Sequence, residues 1–144
     1  MVRQPDSEIP LPEPLYRSVC SEDVVGMDVL AAAVDLPRCS FNRSRFSRPE
    51  DVIVAGRPAD NGIVQITSAD LPAPVPRESP SIGVAYKFDA FDDPTAENDA
   101  HAEIRMYLQD GSFNKNHKPH KPTLAKAKDA LARKLTILRS PSED

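Results

Sequence analysis

Asp99-Ala100-His101-Ala102-Glu103-Ile104-Arg105-Met106-Tyr107-Leu108 is the stretch whose reading decides the fold. Ala100, Ala102, Ile104, Met106 and Leu108 alternate with polar residues, which is the two-residue period of a half-buried strand. The alanines and the acids ahead of them also permit a helix, so both assignments stay open, with the strand favoured. As a strand the stretch follows a series of other extended signals. Residues 15–20 alternate apolar and polar side chains, and residues 52–55, 62–67 and 82–88 are rich in Val and Ile between Gly, Pro and Asn. Consecutive strand signals of this kind predict a mainly antiparallel, curved sheet rather than a doubly wound one.

Two helices are expected around that sheet. Ser21-Glu22-Asp23 supplies a cap oxygen and two first-turn acids before an apolar run, predicting an early helix over about 22–34, although Gly26 falls inside it. Thr123 caps a second helix over about 123–135, in which Leu124, Ala127, Leu131 and Leu135 form one stripe. Residues 135–138 could continue as a strand. Ser47-Arg48-Pro49-Glu50 has capping-box spacing and predicts a short helical turn. The expected fold is α+β: one small domain over 15–140, with four to five short strands and these two helices. Residues 1–14 read as a flexible arm and 141–144 as a tail.

A chain of 144 residues with 40% hydrophobic and 28% charged side chains can close one core without staples. Fifteen prolines and the absence of Trp imply many turns and an aliphatic core. No apolar run reaches the ~20 residues of a spanning helix, so no membrane association is expected, and the polar start carries no signal-peptide core. The expected location is the cytoplasm, with Cys20 and Cys39 as free thiols. No cofactor motif is present and none is expected; no phosphate-cradling glycine loop or nucleophile elbow occurs.

Charge is divided along the chain. Residues 112–140 hold eight Lys/Arg against Asp129, a net +7 in a chain of −4, leaving −11 for the rest. Residues 89–103 hold six acids and no Lys or Arg. Lys118, Lys121, Lys126, Lys128 and Arg133 in the basic block, with Arg43, Arg45 and Arg48 in an arginine-rich segment over 38–48, form the expected contact surface. The competing fate of those arginines is internal: Phe41 and Phe46 would anchor the segment while the arginines pair with the acids of 89–103.

The densest reactive set is Asp99, His101, Glu103 and Arg105, which on a strand would share one face at about 7 Å intervals. An imidazole between carboxylates suits general-base work, or metal binding with help from His117 or His120, though neighbouring Lys118 and Lys121 disfavour a dication. Exposed salt-bridged surface is the bland alternative. Arg17, a serine in the 40s and Glu103 also occur in the Arg, Ser, Glu order of ADP-ribosyl-transferring enzymes, without a flanking signature. The leading expectation is a small accessory protein docking an acidic protein partner or nucleic acid. The alternative is a small enzyme, a metal-dependent hydrolase or group transferase, using Asp99, His101, Glu103 and Arg17.

Overall fold

The structure, a computed structural model, describes residues 2–54, 61–76, 85–109 and 119–141. Its strands are β1 (Pro14–Val19), β2 (Val24–Val25), β3 (Asp28–Val29), β4 (Arg38–Arg43), β5 (Gly62–Thr67), β6 (Val75–Pro76), β7 (Ala85–Asp92), β8 (His101–Leu108) and β9 (Thr136–Arg139), with one helix, α1 (Lys121–Lys134). Seven strands form a curled antiparallel sheet in the order β6-β7-β8-β4-β1-β5-β9; β2 and β3 pair separately.

The expected α+β arrangement of four to five strands is therefore overturned. The protein is mostly sheet, with seven strands in the main layer and a single α-helix among the described residues. The early helix over 22–34 does not form. The Cys20 N–H donates to the Asp23 carboxylate at 3.1 Å, which closes a 3-10 turn at Ser21–Asp23. Val24 and Val25 then pair with Val29 and Asp28 across a two-residue loop that opens with Gly26 at φ +62. Valine pairs favour extended backbone, and a glycine at the first position of such a loop is a hairpin signature. The expected strand over 52–55 is also absent among its described residues. Pro49–Val52 is a 3-10 turn, and its first turn is closed by the Asp51 carboxylate accepting from the Arg48 N–H at 2.8 Å, not by Glu50.

The stretch over 99–108 resolves as a strand from His101 onward. On β8, Ala102, Ile104 and Met106 enter the core; on β4, Cys39 and Phe41 do the same. Leu15, Val64, Ile66, Tyr86 and Phe88 complete that layer. The late helix is present, and buries Thr123, Ala127, Leu131 and Ala132. It packs on the turn Ala31–Ala33 and on β6 and β3, and its chain continues directly into β9. No helix among the described residues is long and apolar enough to cross a membrane.

Of the arm expected over 1–14, residues 2–13 run against the sheet, with Ile9 in the core and Glu13 buried, and Pro14 opens β1. The Ser68 side chain links this segment to the end of β5, accepting from the Glu13 N–H at 2.8 Å and donating to the Pro10 carbonyl at 2.7 Å.

Candidate functional site

Three polar assemblies lie on or beside β4 and β8. The first is a buried ionic cluster around Arg43, whose side chain is fully enclosed. Its guanidinium donates to both Glu13 carboxylate oxygens at 2.8 Å and to Asp6 at 2.7 Å, and lies 3.1 Å from Asp92. Arg3 grips Asp92 from the other side with bonds of 2.6 and 2.8 Å, and stacks on Phe46 at 3.9 Å. Burial alone would raise the Asp92 carboxyl. Hydrogen bonds from Arg3, the Asp6 N–H and Arg43 outweigh it and hold the group at about 2.

The second assembly closes Glu103. It shares a face with His101 and Arg105, yet it is buried, and its carboxylate receives Arg38 at 2.6 Å and Arg105 at 2.9 Å. Burial opposes the charge, but the two guanidinium groups prevail and its pKa is lowered. Asp93, His101 and Glu103 offer ligand atoms within 4.8 Å of one another. The two cations already held by Glu103 repel a dication there, so this set suits an ion pair better than a metal.

The third assembly is a hydrogen-bonded chain. His101 Nδ1 meets the Asp93 main-chain carbonyl at 2.8 Å and its carboxylate at 3.2 Å, while Nε2 meets Ser40 Oγ at 3.2 Å. A concave pocket of about 230 Å³ opens beside it, with Tyr16, Arg17, Ser40, Phe41, Asn98 and His101 in its wall. Arg17 donates to the Ser40 carbonyl at 2.9 Å and to the Ala33 carbonyl at 2.9 Å, and pairs with Asp35 at 3.2 Å.

The expected residues are thus separated by role. Asp99 precedes β8, is exposed and pairs with Arg3 at 3.5 Å, so it does not share the His101 face as a strand residue would. Ser40 stands opposite Glu103 in the register and Arg17 touches the Ser40 carbonyl, so the Arg, Ser, Glu order converges in space; Glu103, however, is closed off from the pocket. Arg43 cannot meet a partner, because it is buried in ion pairs with Glu13, Asp6 and Asp92. Arg45 is exposed over the Phe46 ring, and Arg48 pairs locally with Asp51. Lys121 and Lys126 are exposed on α1, Lys128 is half-buried, and Arg133 pairs with Asp129. Lys118 and His117 lie outside the described residues. Burial raises both the Cys20 and Cys39 thiols, so neither is a poised nucleophile.

Sequence reasoning missed Arg3, Asp6, Glu13, Ser40 and Asp93 as partners. Ser40 was accessible in principle, since alternation along 38–43 puts it on the face opposite Cys39 and Phe41. The chain matches no family model, no curated protein and no solved structure.

Proposed function

We propose that this chain is a small binding protein that docks an acidic protein segment through the exposed basic face of α1. The observation that carries this reading is the unequal fate of the two cationic stretches. In the arginine-rich segment, Arg38 and Arg43 are consumed by Glu103, Asp6, Glu13 and Asp92. On α1, Lys121 and Lys126 are exposed and make no ion pair among the described residues, while Ala127 and Leu131 fasten another side of the helix to the core. A helix held by its apolar stripe presents its charged side at little entropic cost. Beside it, Met27, Leu30, Ala132 and Leu135 line a groove that would receive apolar side chains of the same segment. A dedicated nucleic-acid binder is normally basic throughout, whereas this chain carries a net −4, which favours a protein over nucleic acid.

Fluorescence anisotropy with a poly-glutamate peptide and with a single-stranded oligonucleotide, across a salt series, tests this. Peptide binding that is lost in the Lys121→Glu, Lys126→Glu variant is the expected result. Oligonucleotide binding with a steep salt slope would instead make nucleic acid the partner. No binding of either probe at low salt would remove the reading.

A further inference from the structure

We propose that Ser40 is the nucleophile of a hydrolytic site for small esters, with His101 as its general base and Asp93 positioning the imidazole. The proposal uses residues remote from the basic face of α1 and does not depend on the docking reading.

The β4–β8 register sets Asn42 opposite His101 and Ser40 opposite Glu103, so Ser40 and His101 are diagonal neighbours on one face of the sheet. That is close enough for Ser40 Oγ to lie 3.2 Å from His101 Nε2. The tautomer follows from the other ring nitrogen. Both groups at Nδ1, the Asp93 carbonyl and carboxylate, can only accept. Nδ1 therefore carries the hydrogen, and Nε2 of the neutral ring presents its lone pair to the Ser40 hydroxyl. This is the direction a base needs to take the hydroxyl proton. The Asp93 N–H also donates to the His101 carbonyl at 3.0 Å, so main-chain and side-chain bonds fix the same pair.

Ser40 is exposed and lines the pocket together with His101 and Arg17. Arg17 spends three of its N–H groups on Ala33, Ser40 and Asp35. The bond to the Ser40 carbonyl ties β1 to the main chain of β4 at the nucleophile. Tyr16, Val52 and Val54 supply apolar surface for a short acyl or alkyl group.

The step balances without a further reactant except water. Ser40 Oγ attacks the ester carbonyl carbon and its proton passes to His101 Nε2. The bond from carbon to the leaving oxygen breaks, and that oxygen takes the proton from His101 and departs as the alcohol. Water then attacks the acyl-Ser40 ester, giving its proton through His101 to Ser40 Oγ and releasing the carboxylic acid.

The full chain would be treated with a fluorophosphonate probe, mapped by mass spectrometry, and assayed on p-nitrophenyl acetate. Labelling at Ser40, with a hydrolysis rate that falls about 100-fold or more in Ser40→Ala and in His101→Ala, is the expected result. Asp93→Asn should lower kcat and the labelling rate with KM unchanged, and Asp93→Glu should restore part of both. Melting temperatures of all four variants report whether the fold survives; Ser40 is exposed, so Ser40→Ala is the variant most secure in that respect. Absence of labelling on Ser40 overturns the proposal. So does hydrolysis that survives in Ser40→Ala, which would leave His101 or a surface group as an unaided nucleophile.

Discussion

Replacing Arg43 with methionine keeps most of the side chain's length and removes its charge, so it isolates what the ionic cluster contributes. In the native protein three carboxylates, those of Asp6, Glu13 and Asp92, converge on this one enclosed guanidinium. In the variant Asp92 keeps Arg3, whereas Glu13 is left buried without its only cation among the described residues. Removing one partner of a buried pair costs about 3–5 kcal/mol, because the remaining charge is not rehydrated. Unfolding entropy of about 2.1 cal/mol/K per residue over this chain converts that cost into a melting temperature lowered by about 10–17 °C. Thermal unfolding at neutral pH, followed by far-UV circular dichroism, measures the shift. The Arg43→Met, Glu13→Gln double variant should recover part of it, since the glutamine leaves no buried charge. A shift of less than about 2 °C in the single variant would refute the reasoning. It would mean that Glu13 reaches water and that residues 2–13 do not seal the cluster.

The Asp92 carboxyl stands at about 2 in the folded protein against an ordinary 3.8, so the folded state binds its proton less readily than the unfolded chain does. Its contribution of about 2 kcal/mol is complete above pH 3.8 and is lost as pH falls toward 2; acid titration of Asp92→Asn should lack that component. Leu131, with no exposed surface at the root of α1, should cost about 2–5 kcal/mol as Leu131→Ala in denaturant unfolding, while reversing Lys126 and Lys128 together should stay within about 0.5 kcal/mol per site. Gly26→Ala forces a side chain onto a φ of +62 and should cost about 1 kcal/mol despite open space around it, whereas an unchanged melting temperature would mean the β2–β3 loop rearranges freely.

The sheet was legible where alternation was clean. Residues 101–108 carry a period of two, residues 62–67 are rich in Ile and Val between turn residues, and both pair as expected of strands. The early helix was misread because an apolar run without a clear period looks alike in a helix and in a folded-back ribbon. Gly26 decided between them, and its meaning depends on a backbone angle the sequence does not display. The Asp99, His101, Glu103 face was half legible. The register puts His101 and Glu103 on one side, but Asp99 falls before the strand and Glu103 is closed by Arg38 and Arg105, which come from different strands. Pairings such as Arg43 with Glu13, or Ser40 with His101, join residues 30 and 61 positions apart, and only the strand order brings them within reach.

The two borders of the main sheet are chemically unlike. At one, β6 is two residues long, ends in Pro76 and follows Pro72 and Pro74, so it has few N–H groups to offer an incoming strand. At the other, β9 presents Thr136, Leu138 and Arg139 to solvent with no proline inside it. Among the described residues β9 is therefore the border better suited to receive a strand from another chain. Two copies joined β9 to β9 would leave a proline-blunted border at both ends of the combined sheet. Growth by strand addition would stop at the pair, which makes the proline-rich border a terminator against fibre formation.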